Sequence, residues 1–474
     1  MDTRLVVKEE DWQRIAEMHG ETKLEHMSFA LGGISSSGGG LRFLVRELVI
    51  PLADDYQHKR EDSVKLTVEG EWRVHEQIGE HRVFIDIHDH RESDPEFSAV
   101  DNRGAAEQRR QFADLHKGVF IVQLVFGPDG SFLGRWCEGG GQHGWKVVDG
   151  VDVIGPDGFR RETPWNSPAP SHGAALERSV REKHIRSLPV IGERSLSELA
   201  DLKVGIVGLG GTGMAFFQQS RLLFRDFILA DDDVVEVSNL GRLGGATIAD
   251  ARLGSPKVQV AAREALRQDP ELRIAAYEET FPCEALRLAL RGCDVIVAAV
   301  DNDLARYRLS QFASRHMRIL LEMGSGLRLS EGRVAEFGSQ VRLQVPGGPC
   351  LVCMGLSLDR LESETASRDR QLSGYIEDTA LTPGEIVHTN YTVAALALRN
   401  LVAYFVRHVK HSSYIYYDEA AIKLIDLGKE FRSCPECSTC GGGGSSVEGW
   451  GDSLPPSLCI AECPQHAITT EGGE

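Results

Sequence analysis

Lys203-Val-Gly-Ile-Val-Gly208-Leu-Gly210-Gly211-Thr-Gly213 decides the fold. An apolar run of strand length ends in a glycine-rich turn, and a helical segment follows. Glycines at such a turn let the backbone approach a phosphate, and the helix opening there presents free N–H groups to the anion. Working outward, DFILADD (226–232), RIAAYEE (273–279), DVIVAAVD (294–301) and RILLEMGSG (318–326) read as further strands with helical segments between them. That alternation predicts a parallel, doubly wound α/β sheet over residues 181–440.

The glycine turn alone does not choose a nucleotide chemistry. An acidic residue about 20 positions on, here Asp231, also binds ribose in nicotinamide dehydrogenases. The next stretch separates the readings: Asp231-Asp-Asp233-Val-Val-Glu-Val-Ser238-Asn239-Leu-Gly-Arg242, then Gly254-Ser-Pro-Lys257, then Asp301-Asn302 at a strand end. A dehydrogenase has no use for an arginine, a lysine and a strand-end carboxylate converging on phosphates. ATP does, because cations stabilise the triphosphate charge and a carboxylate holds magnesium. The sequence GxxxxGK[ST] is absent, which argues against an ordinary P-loop ATPase.

This ordered set closely resembles the ThiF/MoeB family, the adenylating fold of ubiquitin-activating-type enzymes, over residues 181–432. The resemblance implies that Gly208, Gly210, Gly211 and Gly213 cradle ATP and that Asp231, with Asp233 beside it, holds the ribose. It implies that Asn239, Arg242 and Lys257 contact phosphates, the two cations serving the chemistry, and that Asp301 ligates magnesium. Arg186, in His-Ile-Arg-Ser, resembles an arginine these enzymes contribute across a dimer interface, so a homodimer through this domain is expected. Leu243 stands where the family often has Gln. The implied reaction is attack of a protein C-terminal carboxylate on the α-phosphate of ATP, giving an acyl adenylate and pyrophosphate.

A second constellation lies upstream. HMSFALGG (26–33), LRFLVRELVIPL (41–52), HRVFIDIHDH (81–90) and GVFIVQLVFG (118–127), with a helical stretch over 9–18, predict a compact α+β domain over residues 1–145. His88 and His90 stand two apart at a strand end, so period-2 alternation puts both imidazoles on one face. Asp101 follows after a turn and a helix start. Two His and one carboxylate leave a zinc position open, the arrangement of a catalytic zinc. Glu25, before a small-apolar strand, is the candidate general acid/base, with Glu21 nearby as the competing choice. The spacing His-x-His, seven residues, Ser98, two residues, Asp101, taken with Glu25, resembles the JAMM (MPN+/JAB) metallopeptidase signature. That resemblance implies a JAMM/cytidine-deaminase-like fold, Glu25 as acid/base, Ser98 as oxyanion donor, and His88, His90 and Asp101 as ligands of a catalytic Zn2+. Arg91 stands where many members have Pro.

Cys350-x-x-Cys353 and Cys434-x-x-Cys437 predict a structural Zn2+ site, with Cys440 as a competing ligand. ThiF/MoeB-like enzymes often carry one in these places. Cys459 and Cys463 read as free thiols in the tail; Cys283 and Cys293 read as buried. Between Cys353 and Cys434 there is no cysteine, so thiolate attack in the loop before the helix over 391–405 is excluded. The enzyme stops at the adenylate, passes the acyl group to a separate downstream carrier or conjugating enzyme, or forms an oxyester on Thr379 or Thr382. The last has no activating base identified in the sequence.

Composition sets the frame. In 474 residues, 52 Lys plus Arg stand against 70 Asp plus Glu, a net charge of −18. Such acidity disfavours nucleic-acid backbones. No apolar run has membrane-spanning length, and the first residues lack a signal-peptide core, so a soluble cytoplasmic protein is expected. Residues 146–180, rich in Gly, Pro, Ser and Asp, read as a linker that raises the effective concentration of a processed tail at the adenylation site. Residues 441–474 read as a flexible acidic tail; its Gly472-Gly473-Glu474 ending resembles a capped Gly-Gly terminus. The whole describes a bifunctional enzyme of a bacterial-type ubiquitin-like conjugation system, processing a Gly-Gly-type C-terminus and adenylating it with ATP and Mg2+. The competing reading is sulfur-carrier activation for cofactor biosynthesis, the first domain trimming the carrier or only binding it.

Overall fold

The glycine-turn strand takes a central position in the second of two large sheets. The computed structural model describes residues 2–20, 24–61, 63–91, 94–139, 144–166, 178–330, 333–357, 386–406, 409–441 and 446–455. Among them the N-terminal strands are β1 Asp2–Lys8, β2 Met27–Ser37, β3 Gly40–Val49, β4 Tyr56–Lys59, β5 Val64–Leu66, β6 Val83–Asp89, β7 Phe120–Phe126, β8 Phe132–Glu138, β9 Lys146–Val147, β10 Gly150–Gly155 and β11 Gly158–Glu162. The second half adds β12 Lys203–Val207, β13 Asp226–Ala230, β14 Arg273–Tyr277, β15 Val295–Ala298, β16 Ile319–Ser330, β17 Arg333–Gln344, β18 Tyr414–Asp418 and β19 Lys423–Asp426.

The second sheet runs β14-β13-β12-β15-β16-β17-β18-β19. β14 through β16 are mutually parallel, as the strand–helix alternation requires, and β17 to β19 continue antiparallel. The chain steps from β12 outward to β13 and β14, then returns to the other side of β12 with β15. Such a reversal opens a crevice at the carboxyl ends of β12 and β15, where doubly wound sheets bind ligands. The helix Val387–Val406 packs on the helix Gly211–Ser220 and on β16 and β17.

The first sheet runs β11-β10-β1-β3-β2-β6-β7-β8-β9, with β4 and β5 as a separate hairpin. Its extent corrects the expected linker: β9, β10 and β11 belong to this sheet, so it reaches Glu162. Gly155-Pro-Asp-Gly158 is a hairpin turn, with Gly155 paired to Gly158 and Gly158 at φ 139°. The turn-forming residues that suggested a tether reverse a buried strand.

One hydrophobic cluster spans the two sheets, beside clusters that belong to each sheet alone. Val6, Leu44, Ile154 and Phe159 cluster with Leu202, Phe217, Tyr404 and Phe405. The Phe159 and Phe405 rings meet edge-on at 5.4 Å, and the Tyr404 hydroxyl donates to Gly155 O at 3.0 Å. Buried Ser35 Oγ lies 2.9 Å from His316 Nδ1. The halves pack directly on one another, and residues 146–162 of the expected linker are part of the first sheet.

The expected flexible tail is also corrected. Residues 446–455 are packed against both halves, and 442–445 and 456–474, with Cys459, Cys463 and the Gly-Gly ending, lie outside the described residues. Trp450 stacks on His81 at 4.8 Å and lies under the Arg46 guanidinium at 4.3 Å. Asp452 accepts from Ser36 N and Oγ at 2.8 and 2.7 Å and pairs with Arg291 at 3.0 Å. One apolar anchor, Trp450, follows a glycine–serine run whose composition concealed it. Among the described residues no helix is long and apolar enough to cross a membrane.

Trp450→Ala should therefore cost about 3 kcal/mol of stability, as for a large buried aromatic. An Arg46→Ala/Trp450→Ala cycle should show a coupling of about 1 kcal/mol. Thermal unfolding of the intact chain measures both, and an unshifted transition for Trp450→Ala would contradict the docking described.

Candidate functional site

The crevice of the second sheet is assembled from three strand ends. After β12, Gly208 adopts φ +92°, and a Cβ there would sit 2.4 Å from Ala299 O. A Cβ on Gly213 would meet Gly208 O at 2.0 Å, so this turn packs only with glycine at both places. Gly210 caps the helix Gly211–Ser220 and has open space where its Cβ would point, room for an anion at the helix N-terminus. After β13, Asp231 accepts hydrogen bonds from Leu209 N at 2.5 Å and Asp233 N at 2.9 Å. Burial pushes its carboxyl up, against the Lys257 ammonium. Lys257 Nζ, itself largely buried, lies 2.6 Å from Asp233 Oδ2 and 3.8 Å from Asp231 Oδ1.

Arg242 donates to Ser238 O at 3.1 Å, closing the short helical turn that holds Asn239. After β15, the exposed Asp301 carboxylate accepts from Asn302 at 3.2 Å, and Asn302 caps the helix Asp303–Arg315. Arg186 is exposed between two short helices. Arg306, which the sequence pattern did not single out, joins Asp303 at 2.7 Å and fully buried Glu322 at 3.1 Å.

The ThiF family profile matches residues 182–437, more than half of the chain. The chain belongs to the ThiF family. Among similar proteins, SAMP-activating enzyme E1 of Haloferax volcanii is 26% identical over 266 residues, covering 54% of this chain and 87% of that protein. The molybdopterin-synthase adenylyltransferase of Escherichia coli is 33% identical over 172 residues, 35% of this chain and 63% of that protein. The sulfur carrier protein adenylyltransferase of Thermus thermophilus is 31% identical over 174 residues, 35% of this chain and 60% of that protein. Of these last two relatives the matched region thus spans under two thirds. A solved structure of E. coli MccB with ATP aligns at a TM-score of 0.44 and 19% identity, covering 56% of this chain and 76% of that one.

At the far end of the ThiF region, Cys350, Cys353, Cys437 and Cys440 bring four sulfurs within 4.8 Å of one another. Cys350 Sγ lies 3.6 Å from Cys437 Sγ, and Cys353 Sγ lies 3.7 Å from Cys440 Sγ. A tetrahedral zinc with bonds near 2.3 Å separates its sulfurs by about 3.8 Å, so the set fits a structural zinc and not disulfides. The fourth sulfur of the set is that of buried Cys440; the expected Cys434 is exposed and lies outside the set. Both Cys434-x-x-Cys437 and Cys437-x-x-Cys440 have knuckle spacing; the chain folds Cys440 inward under the packed residues 446–455, with Val447 N donating to Ser438 O at 2.9 Å. Thr379 and Thr382 lie outside the described residues. Cys293 is buried, its thiol pushed up to about 12 by burial, and Cys283 is only partly covered.

In the N-terminal half, β6 carries His88, and His90 follows its last residue, Asp89, on the face that period-2 alternation predicts. Both Nε2 atoms point to the Asp101 carboxylate, at 3.4 Å each. Ser98 caps the helix Ala99–Leu115: its Oγ accepts from Asp101 N at 3.2 Å while its N–H donates to Asp101 Oδ2 at 2.6 Å. That capping box aims the carboxylate back at the histidines. His88 Nε2 is buried yet makes no hydrogen bond, an orphan donor or acceptor that a metal would satisfy. Burial opposes charge on Asp101, yet the two imidazoles hold its carboxyl well below the usual range. Glu25 precedes β2, whose Met27 pairs with His88, so it stands beside the cluster. Burial pushes its carboxyl up to about 7, against the pull of His90 and His88.

These residues line a cleft of about 1310 Å³, shared with Met27, Phe29 and Val100. Small-molecule pockets span roughly 300–1,000 Å³, so this cleft has room for a chain segment. Sequence reading missed Asp86, on the same face of β6 as His88, and Asp89, on the opposite face. Two acids within an apolar strand were the available signal.

Cys440→Ser should abolish the structural metal and Cys434→Ser should leave it in place. Asp101→Ala should remove a separate metal without touching the first. Metal analysis of purified variants reads this directly; retention of the structural metal in Cys440→Ser would contradict the ligand set.

Proposed function

We propose that this ThiF-family protein adenylates the C-terminal carboxylate of a ubiquitin-like or sulfur-carrier protein with ATP. The observation that carries the reading is the convergence, at the carboxyl ends of β12, β13 and β15, of the open glycine turn, buried Lys257 and Asp301. In this reading the helix N-terminus at Gly210 receives phosphate, Asp231 takes the ribose, and Asn239, Arg242 and Lys257 neutralise phosphate charge. Asp301 would hold magnesium. Arg186 would act from a second copy of the chain, in a homodimer. The acceptor carboxylate attacks the α-phosphorus, pyrophosphate leaves, and the cations offset the charge that builds between them. The named relatives include both a SAMP-activating enzyme and a sulfur carrier protein adenylyltransferase, which keeps both carrier classes in the proposal.

We further propose that the N-terminal half is a JAMM-type zinc (iso)peptidase acting on such a C-terminus. His88, His90 and Asp101 would hold zinc, which when bound supplies Lewis-acid activation of water and of the scissile carbonyl. Glu25, shielded and shifted toward neutrality, takes a proton from the attacking water and delivers it to the leaving amine. The Ser98 proton, not used in the helix cap, faces the developing oxyanion. In this reading the peptidase unit ends at β11, and the ThiF unit takes residues 446–455 as its last anchor.

Carrier-dependent exchange between ATP and labelled pyrophosphate tests the first activity. Lys257→Ala should lower it by about 10²–10³-fold, the cost of one preorganised charge partner. Carrier-independent or Lys257-independent exchange would sink the reading. For the second activity, a Gly-Gly carrier extended at its C-terminus should be cleaved by the wild type. Glu25→Gln should abolish cleavage with its zinc retained, and uninhibited cleavage after chelation would overturn the metallopeptidase assignment.

A further inference from the structure

The stretch Asp89-His90-Arg91 does two things at once. His90 faces the metal cluster, and its neighbours face the other way, into a buried polar network beneath Glu25. The Asp89 carboxylate is fully buried. Its Oδ1 accepts from His26 N at 2.8 Å, and its Oδ2 accepts from Arg91 Nη2 at 2.5 Å and lies 3.0 Å from His19 Nδ1. Arg91 also donates to Leu24 O at 3.1 Å and to His19 O at 2.8 Å. Leu24 O belongs to the peptide before Glu25, and His26 N–H belongs to the peptide after it. Both peptide planes flanking Glu25 are thus tied to one ion pair, and Glu25 N donates to Arg60 O at 2.8 Å.

The network continues from His19 Nε2 to Ser28 Oγ at 3.0 Å, while the His19 ring lies flat on Phe126 with planes 7° apart. Asp89, His19 and Ser28 have the connectivity of a hydrolase triad. Ser28 is fully buried, so no substrate reaches its hydroxyl, and the three act as a brace.

We infer that Arg91 and Asp89 are positioning residues that fix the backbone of Glu25 over the His88–His90–Asp101 cluster, so that its carboxylate meets substrate in one geometry. The inference rests on the metallopeptidase reading for its catalytic consequence, and on geometry alone for the fixing of Glu25. No described hydrogen bond or ion pair joins either side chain to the imidazoles of His88 and His90 or to the Asp101 carboxylate, so metal retention and turnover separate. Removing an outer partner of this kind typically costs 10–100-fold in activity. Misplacement of a reacting group by about 1 Å costs about as much.

The test uses the full chain with Arg91→Ala, Arg91→Lys and Asp89→Asn. Expected results are zinc content equal to wild type, faster hydrogen exchange at the His26 amide, and unchanged exchange in β2. On the extended Gly-Gly carrier, kcat should fall about 10–100-fold with KM near wild type. Arg91→Lys should lie between, since an ammonium reaches fewer of the acceptors, and added guanidinium should partly restore Arg91→Ala. Unchanged His26 exchange, or loss of zinc together with global protection, overturns the positioning role. If the wild type cleaves no carrier, only the peptidase reading falls, and hydrogen exchange still decides whether the pair fixes Glu25.

Discussion

The β10–β11 hairpin packed on the helix Val387–Val406 is the contact on which the rest of the molecule depends. Ile154 and Phe159 are buried in one cluster with Leu202, Tyr404 and Phe405, which Val6 and Leu44 also join. Full burial of each such side chain is worth about 1.5–3 kcal/mol. Residues 446–455 close the same seam from its other side through Trp450 and Asp452. Separation of the halves would expose these groups together and break the Ser36–Asp452 hydrogen bonds and the Arg161–Asp294 pair.

Both candidate sites grow out of strand ends whose positions that packing fixes. In the ThiF region the reversal after β14 aligns the ends of β12, β13 and β15, so residues distant in sequence share one crevice. In the first half, antiparallel pairing of β2 with β6 brings the segment before β2 alongside the end of β6. A single residue of slip in that pairing would turn His88 and His90 away from Asp101. The structural zinc set lies directly before the 446–455 anchor, so metal binding and docking share the backbone at Ser438 and Thr439.

The parallel half of the second sheet, β14 to β16, was legible because glycine turns, strand-end acids and strand–helix alternation act over short windows; the antiparallel extension β17 to β19 was not foreseen. The His88, His90, Asp101 cluster was legible for the same reason, since period 2 and a helix cap set its geometry locally. What failed was non-local. Gly155-Pro-Asp-Gly158 has the composition of either a linker or a hairpin, and only pairing of Ile154 with Phe159 distinguishes them. Trp450 follows Gly441-Gly-Gly-Gly444, and nothing near it in sequence announces His81 or Arg46. Cys434 and Cys440 stand at equal spacing from Cys437, and burial chose between them. The Asp89–Arg91 brace stayed hidden because its partners are 63 to 72 residues away.

Scanning calorimetry of the intact protein tests the shared core most directly. One cooperative transition is expected, with equal calorimetric and van't Hoff enthalpies, and bound ATP should move it as a whole. Two separable transitions, of which ATP moves only one, would show that the halves fold independently and would contradict the account.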